Sequence, residues 1–174
     1  MNVKILAISA LLLTFCSGCW ANQGHVRRLL ETKQCQGCNL VGANLREQVL
    51  GGANLRGSNL DRVDLTLSNL FYADLNAASL VKARIRGADL RAANLKGAKL
   101  NNADLSSADL SSADLRNADL RGASLENADL SNANLLNAQL DGAFLKGANL
   151  ANAQIEGAVG LVVENLPPDR QPQQ

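Results

Sequence analysis

Aromatic residues are scarce in this chain. There are three Phe, one Trp and one Tyr, 3% of 174 residues, so a core must be built from Leu, Ala and Val. There is one histidine, His25. A Ser-His-Asp set within the repeats described below is therefore excluded, and a zinc site built on the cysteines would be two ligands short. No glycine-rich phosphate loop follows a βα pattern. An excess of charge is missing too, with 17 Lys and Arg against 16 Asp and Glu. That balance argues against a basic nucleic-acid binder and against a strongly acidic, DNA-like surface. The length fits one domain.

Long apolar runs are absent but for one. Ile5 to Phe15 is apolar over eleven residues, too short to span a bilayer. Lys4 precedes it, and the small residues Ser17, Gly18 and Ala21 follow. This is the pattern of a secretory signal peptide, residues 1–21, cut after Ala21. The alternative is a lipoprotein signal: Ser17-Gly18-Cys19 has the form of a lipobox end, with Cys16 where Leu is usual. Cutting after Ala21 removes Lys4 and no acid, leaving a mature chain of zero formal charge.

What the chain has in abundance is a period of five. An apolar centre falls at every multiple of five from Leu40 to Ile155, giving 24 centres, of which 22 are Leu. Two residues before the centre stands Ala in 19 cases; the exceptions are Cys38, Gln48, Ser58, Val63 and Ser68. One residue before it stands Asp in eight cases and Asn in eight. The unit is A-(D/N)-L-x-x. In an extended chain, residues two apart share a face, so Ala and Leu point inward and Asp or Asn outward. The next two residues turn the chain, and Asn, Ser and Gly suit that role. Five residues make one side and one corner. Units of this kind wind into a solenoid, because one unit cannot bury its Leu alone. A helix fails on period, since its face repeats every 3.6 residues.

These A(D/N)LXX units resemble the pentapeptide-repeat family over residues 38–157, about two-thirds of the chain. The resemblance implies a right-handed quadrilateral β-helix, all-β, with four units per coil. Twenty-four units then give six coils, a rod of roughly 29 Å at about 4.8 Å per stacked strand. It also implies a non-enzymatic protein. The best-understood members resemble B-form DNA and bind type II topoisomerases. The stretch CQGCNLVGANL resembles the start of the repeat block in exported cyanobacterial members.

Around the repeats, residues 22–37 form an N-terminal cap, with a short helix over Val26–Lys33. Leu30 and Cys35 are in phase with the centres, so the first coil begins early. The phase breaks at Gly160. Residues 158–174 give a lid of Leu161, Val162, Val163 and Leu166, or a sticky end for end-to-end pairing, and then a disordered tail from Pro167.

Cys35 and Cys38 both fall in inward slots. In an exported chain they form a structural disulfide; reduced core thiols are the alternative, and a redox or metal role a remoter one. The sixteen Asp and Asn before the centres read as local hydrogen bonding rather than a charge ladder. Lys82, Arg84, Arg86, Arg91, Lys96 and Lys99 make a basic segment, and in a four-sided coil Arg56, Lys96 and Arg116 share one face, with Asn76 between the first two. A solvated belt competes with a contact role for these charges. Phe71, Tyr72 and Phe144 stand in outward or corner positions. The candidate interaction surface is thus Phe71, Tyr72, Arg84, Arg86, Arg91, Lys96 and Arg116.

The sequence therefore predicts an exported, non-enzymatic scaffold in the periplasm, or in the thylakoid lumen if cyanobacterial. It contacts a protein partner, as a monomer or end-to-end dimer. No cofactor, metal, small-molecule substrate, nucleic acid or membrane span is expected, save a lipid on Cys19. The alternative is a DNA-mimicking topoisomerase inhibitor.

Overall fold

The computed structural model describes residues 20–162. Residues 1–19 of the leader, Cys16 and Cys19 among them, the lid residues Val163 and Leu166, and the tail from Pro167 lie outside the described residues. From Gln34 onward the chain repeats one operation. Each residue before a centre bridges, in parallel, the residue twenty positions on: Gln34 to Asn54, Val49 to Asn69, Asn69 to Asp89, and so to Gln139 and Val159. Twenty residues are four units, so the coil has four sides. The contacts between coils are single bridges rather than long strands, because each side is only three residues wide.

Backbone bonds explain both the stacking and the corners. The centre N–H donates across the coil, as from Leu50 to the Asn69 carbonyl at 2.6 Å, and the Asn69 N–H returns a bond to the Gln48 carbonyl at 2.9 Å. Each corner is closed by a bond three residues back, as from the Ala53 N–H to the Leu50 carbonyl at 3.0 Å. From Gly37 to Gly157, every second corner residue is left-handed, with φ between 54° and 74°. This is the type II pattern, which asks for Gly or Asn at that slot. The sequence supplies them at sixteen of the 25 corners.

The side chains before the centres complete the corner. All sixteen Asp and Asn residues there accept, on Oδ1, the N–H two residues on; Asn134 from Leu136 at 3.1 Å and Asp109 from Ser111 at 3.0 Å are examples. An acceptor two bonds beyond Cβ fits this loop, and longer side chains do not.

Inside, every centre but Ile155 is buried, and Ala lies between the Leu columns. Each buried Leu contributes roughly 1.5–3 kcal/mol. The polar intruders are satisfied: the Ser58 hydroxyl donates to the Cys35 carbonyl, and Ser68 to the Leu65 carbonyl, both at 2.6 Å.

A helix, α1 (Trp20–Thr32), covers the N-terminal end. It starts six residues before the expected Val26 and ends before Lys33. Gly24 alone does not break it, since one exposed glycine costs only about 1 kcal/mol. Lys33, at φ 60°, supplies the left-handed stop. Leu29, not Leu30, is the fully buried residue of α1. The five-residue phase does not extend into a helix, so the expectation for Leu30 fails while that for Cys35 holds. The Asn39 N–H donates to His25 Nδ1 at 3.1 Å, fastening α1 to the first coil. Among the described residues, no helix is long and apolar enough to cross a membrane.

Candidate interaction surface

The four-sided coil sorts the sequence-selected residues onto different sides. On the side that carries Leu50, Leu70 and Leu90, Val49 stacks on Asn69 and Asn69 on Asp89. The corner before this side stacks Arg46-Glu47, Thr66-Leu67 and Arg86-Gly87, joined by bonds from the Glu47 N–H to the Thr66 carbonyl and from the Leu67 N–H to the Arg86 carbonyl. The corner after it stacks Gly51-Gly52, Phe71-Tyr72 and Arg91-Ala92 in the same way.

An apolar patch results. Val49 is 69% exposed, Leu67 57%, Phe71 38% and Tyr72 65%. The Phe71 and Tyr72 rings meet edge-on at 4.3 Å between centroids. The Arg91 guanidinium lies 5.2 Å from the Phe71 centroid, a cation–π distance. Arg91 is held there by Asp89 at 2.8 Å and Asp109 at 3.6 Å. The Asp89 carboxyl sits below the usual carboxylate range, chiefly through the Arg91 hydrogen bond.

Two members of the patch stand on left-handed corners, Leu67 at φ 58° and Tyr72 at φ 56°. A bulky L-residue there is strained by roughly 1–2 kcal/mol. Burial does not repay it at these exposed positions. Val49 and Leu67 escape the sequence reading, which had not fixed which corner residue is left-handed. The signal was present: each is an apolar residue in a slot that is otherwise mostly polar or small.

The other candidates lie elsewhere. Arg84 is on the preceding side, where it pairs with Asp64 at 3.0 Å, alongside Arg46 at 3.6 Å. Burial alone would raise the Asp64 carboxyl. The Thr66 hydroxyl and amide, then Arg84 and Arg46, outweigh it and hold the group low. Lys96 and Arg116 stack with Arg56 on the corner after Leu55, Leu95 and Leu115. There Arg116 chelates Asp114, at 2.6 and 2.8 Å, and Arg56 pairs with Asp74 at 3.3 Å. The two arginines are locally paired, so Lys96 is the one cation of the three without an ion pair among the described residues. Phe144, 60% exposed, lies on Ser124 toward the far end of the rod. Arg86 borders the patch and, unlike Arg84, Arg56 and Arg116, has no ion pair among the described residues.

Cys35 and Cys38 are buried in the first turn with their Sγ atoms against each other. No group of three or more His, Cys, Asp and Glu is arranged to hold a metal among the described residues.

A sequence profile described as pentapeptide repeats, in eight copies, matches residues 34–66, 68–106, 108–147 and 128–159. No curated protein is significantly similar to the chain. Among solved structures, one similar protein is HetL, a pentapeptide repeat protein involved in heterocyst differentiation regulation in the cyanobacterium Nostoc sp. strain PCC 7120. It is 30% identical over 80% of this chain and 72% of that one, with a TM-score of 0.41. A pentapeptide repeat protein from the Arabidopsis thaliana thylakoid lumen is 35% identical over 63% of this chain and 66% of its own, with a TM-score of 0.39. Rfr23 of the cyanobacterium Cyanothece 51142 is 27% identical over 79% of this chain and 97% of its own, with a TM-score of 0.47.

Proposed function

The chain belongs to the pentapeptide-repeat family, and from that premise we propose that it is an exported, non-enzymatic scaffold that works by protein contact. The rod is right-handed, of about six coils, with α1 as its cap and a Cys35–Cys38 disulfide tying the first corner. Export follows from the leader pattern of residues 1–21, and the compartment is the periplasm or a thylakoid lumen. The observation that carries the contact role is the exposed patch of Val49, Leu67, Phe71 and Tyr72, with two members on strained corners. Strain retained at an exposed position points to use by something outside the fold. The partner meets an aromatic pair backed by a guanidinium, a combination common at the energetic centres of interfaces.

The test is a photo-crosslinking residue placed at Tyr72 and, as control, at Asn132 on the same corner three coils on, in the native host. The proposal expects a discrete protein adduct from position 72 and none from 132. Equal adducts from both, or none from either, would contradict it.

A further inference from the structure

The patch has a symmetry that names an occupant. One coil before Leu67 on its corner stands Glu47, and one coil after it stands Arg86. Both are exposed, and neither has an ion pair among the described residues. They are two coils apart, about 9.6 Å at 4.8 Å per coil, too far to pair with each other. On the opposite corner, Gly51-Gly52 precedes Phe71-Tyr72 by one coil, and Arg91-Ala92 follows by one. The first pair has no side chains and forms a recess. The second carries the guanidinium held over Phe71.

Consider a two-fold axis lying in this face, across the rod, at the level of Leu67 and Tyr72. A copy generated by it runs antiparallel and keeps each corner against the same corner. Leu67 then meets Leu67, and the aromatic pair meets the aromatic pair. Glu47 meets Arg86, twice. The Gly51-Gly52 recess receives the Arg91 corner. On both corners an element one coil before the axis has a complement one coil after it, as an isologous interface requires; on the side between them Val49 meets Asp89, and Arg46, beside Glu47, keeps its pair with Asp64.

We propose that this side docks a second copy of the chain, antiparallel and side by side, with Glu47 of each copy against Arg86 of the other. The inference rests on the contact role assigned to the patch above. An anionic lipid surface fits less well, because Asp89, Asp109 and Asp129 follow one another along the same side. One side of a four-sided rod is narrow. The contact therefore falls at the small end of specific interfaces, below about 1,200 Å² in total, with a Kd of roughly micromolar or weaker.

The experiment is sedimentation equilibrium of the processed chain isolated from its host, over a wide concentration range, with four variants. Leu67→Asn and Tyr72→Asn are safe for folding, because Asn occupies the same slots at Asn127 and Asn132. Each should weaken dimerisation by about tenfold or more. Glu47→Arg and Arg86→Glu should each weaken it, and the double variant should restore it. A chain that stays monomeric overturns the proposal. So does a dimer indifferent to Leu67→Asn and Tyr72→Asn, which places self-association at the rod ends. So do charge variants that weaken the dimer without rescue in combination. A monomeric chain that still crosslinks another protein from position 72 overturns the second copy while leaving the scaffold reading intact. A chain that neither dimerises nor crosslinks overturns both.

Discussion

The Leu67 side chain lies over Gly87 of the next coil: a Cβ on Gly87 would stand 2.9 Å from Leu67 Cδ2. The same stacking recurs with Asn102 over Gly122 and Asn137 over Gly157. The left-handed residue of one corner thus leans on the corner of the coil that follows, and glycine leaves it room. Gly160 differs in kind, because a Cβ there would run into the backbone nitrogen of Asp141. A side-chain end gives way and a backbone does not. Both positions have φ above +60°, so alanine is strained at each. Gly87→Ala should cost about 1 kcal/mol in chemical unfolding. Gly160→Ala should cost more and speed hydrogen exchange in the last coil; equal costs would contradict the close approach.

Leu110 is fully buried and Ser111 is not. Leu110→Ala should destabilise by about 2–5 kcal/mol through a cavity in the Leu column. Ser111→Ala removes only the hydroxyl bond to Asp109 and should cost under about 1.5 kcal/mol. Similar small effects from both would show that the inward assignment is wrong.

The Asn134 Oδ1 accepts the Leu136 N–H at 3.1 Å. Asn134→Ala should lose about 0.5–1.5 kcal/mol, while Asn134→Asp, which keeps the acceptor, should lose less. Urea unfolding of the two variants reads the difference. If both lose equally, the local bond is not what selects Asp or Asn at this slot.

Acid should weaken the rod in a defined window. Asp119 is held at about 2, against 3.8 ordinarily, first by its hydrogen bond to Arg121. Asp64, Asp89 and Asp114 are also held low. A depressed carboxylate adds stability that is complete above its unfolded value and lost as pH falls through its folded value. Stability should therefore be flat above about pH 5 and decline from about pH 4 toward pH 2. Asp119→Asn should make the decline shallower. A decline centred near neutral pH would contradict this account.

Much of the fold was legible because one rule is applied 24 times. Any single Leu is uninformative, but a constant interval fixes side, corner and inward slot together. Asp and Asn before the centres were legible as local acceptors for the same reason. Leu30 was misread because a five-residue phase was carried into a helix, where it has no meaning. The patch was half legible: Phe71 and Tyr72 stand out by rarity, whereas Leu67 looks ordinary in a chain rich in Leu. Its meaning depends on the left-handed backbone at that corner and on which coil lies beside it. Arg84 and Lys96 cluster with Arg86 and Arg91 in sequence, but a coil of twenty residues distributes neighbours in sequence over all four sides.

The central claim is that Leu67 and Tyr72 are kept for contact at the expense of the rod's own stability. The most direct measurement is the thermal unfolding of the Leu67→Asn, Tyr72→Asn double variant beside the parent chain, each at a concentration where it is monomeric. Asn suits both corners, so the account predicts a Tm equal to or above that of the parent. A Tm several degrees lower would mean that these residues hold the fold together, and would contradict it.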